Sequence, residues 1–213
     1  SSAASDVYKR QTSIGMMLGL ITPTQGEILI NGTKLNSENR IKLLSFMNFA
    51  SPYIELPKKL TVRQNLEVYA RLYGVNEKVQ RIDELIEELN LSKFLYRNTG
   101  ELSSGQKNRV ALAKSLINKP KLLFLDEPTA SLDPDVGDFV REYLEKYKKK
   151  NELTMLLASH NMKEVERLCD KVIMMKQGKI VDNGTCQEII KKHGRENLED
   201  TFLKIARSKN ELE

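Results

Sequence analysis

The sequence has few features of secreted, metal-binding or membrane-spanning proteins. Its two cysteines, Cys169 and Cys186, form no CxxC pair or other metal-ligand spacing. They fit a reducing cytoplasm better than a disulfide framework. No apolar run approaches the ~20 residues that a helix needs to cross a bilayer. Residues 1–11 have no apolar segment typical of a secretory signal. The chain also lacks an internal repeat and a low-complexity linker.

A strong excess of one charge is lacking too. The 34 lysine and arginine residues face 29 aspartate and glutamate residues, which gives a net charge of +5. Such a balance can indicate nucleic acid, an anionic membrane surface or a phosphorylated ligand as partner. Here the lysines are spread along the chain and mixed with acidic residues, as on solvated helix faces. We therefore expect no nucleic acid partner, and a chain of 213 residues is long enough for one core domain with a smaller lobe.

Short apolar segments separated by turns occupy the first part of the chain. Residues 12–20 (TSIGMMLGL) predict a helix with an apolar stripe, and residues 27–30 predict a short strand. The dipeptide Asn31-Gly32 favours a tight reversal after it. Residues 44–50 predict a further strand. Between residues 60 and 95 the apolar period changes from two to about 3.6, which indicates a helical insertion.

Strands and helices alternate in the second part of the chain. A helix is predicted from about Ser103 to Pro120. Three compact apolar runs follow, with helical sequence between them: 122–125, 155–158 and 172–175. Apolar strands alternating with helices indicate a parallel sheet buried on both faces. The last run reaches a turn at Gly178 and returns as an antiparallel hairpin, and charged helix fills the remainder. The fold class is therefore α/β, with a mostly parallel sheet flanked by helices.

Two adjacent carboxylates end the first of these runs. The segment KLLFLDEPTASLD places Asp126 and Glu127 at the carboxyl end of a buried strand, the edge where open α/β sheets bind ligands. Adjacent side chains on a strand point differently, so the two acids can take separate tasks. One can hold Mg²⁺ and the other can accept a proton from an attacking water. The alternative is a surface Asp-Glu pair at a strand-to-turn junction.

Two further sites complete the candidate chemistry. In LSSGQ (102–106), Ser103 can cap the helix that follows, and Gly105 allows backbone to approach a ligand closely. The exposed N–H groups of that first turn suit an anion, although the segment can also be a plain helix cap. His160 follows the strand 155–158. In a doubly wound sheet it would emerge at the edge that carries the two acids, although a lone histidine after a strand is more often structural.

Together these motifs resemble the ABC ATPase family. LSSGQ resembles its signature motif, LLFLDEP its Walker B strand, Ser131–Asp133 its D-loop, and Ser159-His160 its switch histidine. The resemblance covers residues 12 to about 185 and implies a P-loop NTPase-like fold with an inserted helical subdomain. It implies the following division of the chain: a core lobe at 12–59 and 120–185, the helical signature subdomain at 60–119, a C-terminal helical tail at 186–213, and a non-native leader at 1–11.

The resemblance also implies roles for individual residues. Asp126 would hold Mg²⁺ together with Thr12, Glu127 would act as general base, and His160 would sense the γ-phosphate of ATP. The other implied nucleotide-binding residues are Thr12, Ser103, Ser104, Gly105, Gln106 and Asp133. The serine turn would contact ATP held by a second subunit, in a head-to-tail homodimer or heterodimer with two ATP molecules.

Within the family, residues 60–74 and 196–206 are similar to subunits of simple exporters, which pair with a separate transmembrane permease at the cytoplasmic face of the membrane. An amphipathic helix packing on its own domain is the alternative for the second segment. A soluble ABC protein acting on ribosomes or DNA is a second functional hypothesis, and a non-catalytic fragment is a third. One cassette and no long heptad run favour the transporter subunit.

The phosphate loop is where the chain departs from the family. The pattern G-x-x-x-x-G-K-[ST] should precede the helix 12–20. If Thr12 holds its last position, Gln11 stands in place of the lysine, and neither glycine is present. A helix N-terminus contributes at most ~2 kcal/mol to anion binding, whereas micromolar ATP affinity needs about 8 kcal/mol. We expect the chain as written to hydrolyse no ATP. Residues 1–11 are interpreted as a replacement of native sequence, and a naturally degenerate subunit is the alternative.

A second departure concerns a glutamine. The family usually has one between the strand 44–50 and Leu60, where it touches Mg²⁺ and signals to the membrane partner. The segment FASPYIELP (49–57) has none. Glu55 is either an acidic substitute or a solvated loop residue.

Overall fold

The computed structural model describes residues 12–52, 55–130 and 132–207. Contacts divide the chain into two compact units: Ile14–Ala158, and a second unit that contains residues 159–207. Among the described residues, no helix combines the length and the apolar character needed to span a membrane.

A tight hairpin separates the first helix from the parallel strands. Asn31 and Gly32 adopt φ values of 50° and 73°, as the favoured two-residue hairpin turn requires. This confirms the predicted reversal. The predicted strand 44–50 begins later than expected, because Leu44 still belongs to a helix. The elements up to this point are α1 (12–17), β1 (Leu29–Ile30), β2 (Thr33–Lys34), α2 (Arg40–Leu44) and β3 (Met47–Ala50).

Helices follow, as the change in apolar period predicts. They are α3 (Val62–Leu72), α4 (Lys78–Glu88) and α5 (Ser104–Leu116), with short 3₁₀ turns at Ser92–Phe94 and Thr99–Glu101. Thr61 begins α3 with a capping box to Gln64, which satisfies two backbone donors that the helix itself leaves unpaired. Leu66, Ala70 and Leu85 are fully buried between the helices.

Three parallel strands form the centre of the first unit. The strand β4 (Leu122–Asp126) pairs with β3 on one side and with β5 (Thr154–Ala158) on the other. The crossover from β4 to β5 contains α6 (Pro134–Asn151). The β4 side chains Leu123, Phe124 and Leu125 are at most 1% exposed. Parallel pairing is thus confirmed for the runs 122–125 and 155–158, and burial on both faces for the first of them, whereas in β5 only Ala158 is buried. The fold is α/β, with a parallel sheet flanked by helices.

The third apolar run behaves differently. The second unit contains α7 (Met162–Leu168), β6 (Val172–Lys176), β7 (Lys179–Gly184), α8 (Cys186–Lys192) and α9 (Leu198–Arg207). Among the described residues, β6 pairs only with β7, in an antiparallel hairpin. The predicted hairpin is confirmed, since Gln177 and Gly178 turn the chain back at positive φ. The prediction of burial on both faces is wrong for this run, because Ile173 is 61% exposed.

A buried guanidinium joins three helices of the first unit. Arg81 of α4 is 5% exposed. Its Nη2 donates to the carbonyl of Leu116 at 2.7 Å and to Tyr147 Oη at 3.1 Å. Its Nη1 pairs with Glu84 at 3.0 Å. Because buried polar groups are costly without partners, Arg81 ties α4 to the end of α5 and to α6.

We expect Arg81→Met to lower the free energy of unfolding by roughly 1–3 kcal/mol, because the Leu116 carbonyl and the Tyr147 hydroxyl lose a buried donor. Glu84→Gln is the matched control and should cost about 0–1 kcal/mol, because Glu84 is part-exposed. Urea unfolding followed by circular dichroism measures both. Equal losses would mean that Arg81 acts as an ordinary surface ion pair.

An aspartate in the second unit is held by cationic neighbours. The Asp182 side chain is 3% exposed and accepts from Lys192 Nζ at 2.7 Å. His193 Nε2 lies 2.6 Å from its other oxygen, and the amide of Asn183 donates at 2.9 Å. The hydrogen bond from Lys192, with help from His193 and Asn183, holds the pKa of Asp182 below its ordinary value despite the opposing effect of burial.

This lowered pKa predicts acid sensitivity. A carboxylate whose pKa is depressed by folding adds stability above its unfolded pKa of about 3.9, and that contribution is lost as the pH falls through the folded pKa. We expect Asp182→Asn to destabilise the chain at pH 7 and to have a smaller effect near pH 3. Urea midpoints at the two pH values test this, with the exposed Glu199→Gln as control. A penalty independent of pH would contradict the assignment.

Candidate functional site

The two predicted acids lie at the carboxyl edge of the parallel sheet. Asp126 is the last residue of β4 and pairs in register with Ala158, the last residue of β5. The amide of Glu127 donates to the carbonyl of Ala158 at 2.8 Å. Both acids are buried, at 5% and 8% exposure. The burial of both carboxylates therefore favours a structured binding site over a solvent-exposed Asp-Glu pair.

Glu127 has an unusual backbone conformation. Its φ is +50°, a region that costs a residue with a Cβ roughly 1–2 kcal/mol. The turn that follows is closed by the amide of Ala130, which donates to the Glu127 carbonyl at 3.0 Å. Asn108 of α5 supports this turn by donating to the Pro128 carbonyl at 2.7 Å. Strained residues occur at functional sites. Lys119 and Glu152 adopt a similar φ near helix ends, whereas Glu127 adopts it at the end of a central strand, beside Asp126.

Sequence reasoning missed Ser51. This residue directly follows β3 and is 6% exposed. Its Oγ donates a long hydrogen bond of 3.4 Å to Asp126 Oδ2. The signal was available, because the residue after a neighbouring parallel strand reaches the same sheet edge. A carboxylate and a hydroxyl are hard oxygen donors that suit Mg²⁺, which usually binds one or two carboxylates together with waters and substrate phosphates. Within the described ranges, no group of three or more His, Cys, Asp or Glu side chains could hold a metal ion.

The serine turn is a helix start held by a capping box. Ser103 Oγ accepts from the amide of Gln106 at 3.3 Å, and Gln106 Oε1 accepts from the amide of Ser103 at 3.0 Å. Ser103 and Ser104 remain exposed. A Cβ on Gly105 would lie 3.2 Å from Val136 Cγ1 of α6, so glycine lets α5 approach α6 closely. The turn is thus compatible both with a helix cap that binds no ligand and with a cap whose N–H groups bind an anion.

The remaining candidates lie at element ends. Asp133 is exposed and occupies the cap position of α6, where its side chain makes no capping hydrogen bond. His160 is exposed and follows the end of β5 by two residues. Thr12 is part-buried at the start of α1. Residues 1–11, where the phosphate-loop prediction falls, and Ser131 of the predicted D-loop lie outside the described residues.

Glu55 is a solvated loop residue. Its carboxylate pairs with Lys58 Nζ at 2.9 Å, and its side chain is 72% exposed. The hydrogen bond from Lys58 lowers the pKa of Glu55. Ser51, and not Glu55, places an oxygen next to Asp126.

Comparison with protein families matches residues 11–130 to the ABC transporter family. The chain belongs to the ABC transporter family. It is an ATP-binding domain of the type that energises these transporters.

Individual relatives agree with this assignment. The ABC transporter ATP-binding protein NatA of Bacillus subtilis is 30% identical over 91% of this chain and 79% of its own length. The Nod factor export ATP-binding protein I of Rhizobium sp. (strain N33) is 33% identical over 86% of this chain and 60% of its own length. The methionine import ATP-binding protein MetN of Corynebacterium diphtheriae is 33% identical over 91% of this chain and 58% of its own length. The chain thus spans less than two thirds of two of these relatives.

Solved structures share the fold. An ATP-binding subunit of an ABC transporter superimposes with a TM-score of 0.82 at 26% identity, covering 92% of this chain and 82% of its own. The dimeric ATP-binding cassette MJ0796, in a post-hydrolysis state with ADP and Pi, superimposes with a TM-score of 0.74 at 24% identity, covering 83% of this chain and 80% of its own.

The conformation of Glu127 in this ABC ATPase domain can be tested without nucleotide. We expect Glu127→Gly to be more stable than Glu127→Ala by about 1 kcal/mol, because glycine adopts positive φ without the Cβ clash. The matched pair Glu142→Gly and Glu142→Ala, at an exposed position inside α6, should show the opposite order. Chemical denaturation measures all four variants. The same order at both positions would rule out strain at Glu127.

Proposed function

We propose that this chain is the ATP-hydrolysing subunit of an ABC exporter, with Glu127 as its general base. One observation carries the proposal: the buried pair Asp126–Glu127 ends the central strand, with Glu127 in a strained conformation beside the end of β5. The order of the motifs along the chain supports it. The family supplies the reaction class, which is phosphoryl transfer to water.

Each residue at the site has a defined task in this proposal. Glu127 accepts a proton from the attacking water. Asp126 and Thr12 hold Mg²⁺, with Ser51 orienting the Asp126 carboxylate. His160 donates a hydrogen bond to the terminal phosphate. When bound, Mg²⁺ neutralises charge that develops on the transferred phosphate.

The serine turn serves a second copy or a related subunit. Ser103, Ser104 and Gly105 face ATP bound by that subunit, and Gln106 shapes the turn through its capping bond. Asp133 contacts nucleotide across the same interface. The dimeric arrangement of the ATP-binding cassette MJ0796 supports such a pairing. In this proposal, residues 60–119 act as a signature subdomain beside the core lobe at 12–59 and 120–185, followed by the tail 186–213.

A transmembrane permease is the other proposed partner, which places the chain at the cytoplasmic face of the membrane. Closure of the dimer on ATP would move the permease between two conformations, and hydrolysis would reset it. The relatives include both an export and an import protein, so export is proposed on the resemblance of residues 60–74 and 196–206 to exporter subunits. Membrane co-purification with a multi-span protein distinguishes this role from one on ribosomes or DNA.

A non-catalytic role is the second candidate, because residues 1–12 contain no G-x-x-x-x-G-K-[ST] pattern. In this proposal the chain as written hydrolyses no ATP, since the helix end at α1 alone supplies too little binding energy.

We expect no magnesium-dependent ATP turnover from the 213-residue chain. A version in which residues 1–11 are replaced by the N-terminal segment of a family member, through its G-x-x-x-x-G-K, should gain turnover. Glu127→Gln in that version should remove the gain by on the order of 10²–10⁴-fold. A phosphate-release assay measures all three.

ATP turnover by the unaltered chain would contradict the proposal that hydrolysis requires the phosphate loop. Undiminished turnover by Glu127→Gln would overturn the role of Glu127. ATP binding without turnover in the grafted version would favour the non-catalytic role.

A further inference from the structure

The residues on both sides of His160 are held by one ring of hydrogen bonds. Ser159 Oγ donates to Glu164 Oε2 at 2.6 Å and accepts from the amide of Asn161 at 3.1 Å. Asn161 Oδ1 accepts from the amide of Glu164 at 3.3 Å, which closes the ring onto the first turn of α7. His160 itself is exposed. Its backbone is therefore fixed through its two neighbours.

The buried partner in this ring is a carboxylate. Glu164 is 1% exposed, although burial of an acidic side chain is costly unless it is well hydrogen-bonded. The 2.6 Å bond from Ser159 has the length expected for a hydroxyl donating to a charged oxygen. Packing alone does not require such a group, because well-packed apolar side chains usually replace buried charges without loss of stability. The helix dipole stabilises an acidic side chain in the first turn of a helix. Glu164 can therefore contribute to the stability of α7 as well as to the placement of His160, and these two effects are tested separately.

We propose that Ser159 and Glu164 are positioning residues that hold the backbone of His160 for contact with the terminal phosphate. This inference rests on the role proposed above for His160. Glu164 acts through Ser159 and touches no substrate. Loss of the Ser159 hydroxyl frees the segment 159–161, so the imidazole samples orientations away from the phosphate. An error of about 1 Å in placing a group can cost on the order of 100-fold in rate.

The first arm of the test uses the chain as it is and needs no ATP. Hydrogen–deuterium exchange is measured on peptides that cover residues 159–163. Ser159→Ala should increase deuterium uptake there, whereas Ser159→Thr, which keeps the hydroxyl, should not. Thr185→Ala is the control, because it removes a hydroxyl that caps another helix of the same unit, α8, and should leave this segment unchanged. Unaltered uptake in Ser159→Ala overturns the inference.

The second arm uses the version that carries a grafted phosphate loop. Ser159→Ala and Glu164→Gln should lower kcat by roughly 10- to 100-fold with little change in KM for ATP. Ser159→Thr and Thr185→Ala should keep kcat. A purely structural role would instead lower the fraction of folded protein, which circular dichroism reports, and would affect Thr185→Ala as well.

His160→Ala separates this inference from the proposed function. If His160→Ala abolishes turnover and Ser159→Ala leaves kcat unchanged, the positioning role falls while the proposed function stands. If His160→Ala retains full turnover, the role of His160 falls and the inference falls with it. Loss of turnover in His160→Ala and Ser159→Ala, with rescue by Ser159→Thr, supports both.

Discussion

The parallel pairing of β3, β4 and β5 is the constraint on which the candidate site depends. Because the three strands run in the same direction, their carboxyl ends meet at one edge of the sheet, and the chain leaves each strand there. Ser51, Asp126 and Ala158 mark those three ends. The amide of Glu127 extends the pairing by one more bond to Ala158. The buried side chains Leu123, Phe124 and Leu125 of β4 hold this edge in place.

Helix packing then brings the signature segment to the turn after Glu127. Gly105 allows α5 to lie against Val136 of α6, since a side chain there would crowd that valine. Asn108, one turn further along α5, donates to the carbonyl of Pro128. Asn108 is thus the contact that joins α5 to the turn after the acids, and Gly105 lets α5 lie against α6. Arg81 links the other end of α5 to α4 through the carbonyl of Leu116.

The second unit is built from local pairing. The β6–β7 hairpin and helices α7, α8 and α9 pack around a small apolar cluster of Val165, Met174, Ile189 and Leu198. Asp182, held by Lys192 and His193, fastens the hairpin to α8. Residues 159–161 begin this unit and include His160. Hydrogen bonds from Ser159 and Asn161 to Glu164 join this segment to α7.

The sequence by itself determined the strongly patterned features. The apolar run before Asp126, the period of residues 60–95 and the Asn31-Gly32 turn each carry a local signal, because burial and turn geometry restrict residue type position by position. The order of the motifs was enough to indicate the ABC family, and the Asp-Glu pair was correctly placed at the end of a buried strand.

Only the tertiary structure decided which strands pair and which side chains meet. An apolar run does not state how far its side chains are covered, so β6 was predicted to be buried on both faces, although Ile173 is exposed. Ser51 and Asp126 are 75 residues apart, and a lone serine after a strand has no distinctive pattern. Likewise the left-handed backbone of Glu127 and the buried Glu164 depend on surrounding atoms. Contacts between distant segments arise from packing in three dimensions. The apolar pattern of a sequence indicates which positions are buried, but it does not indicate which residues they contact.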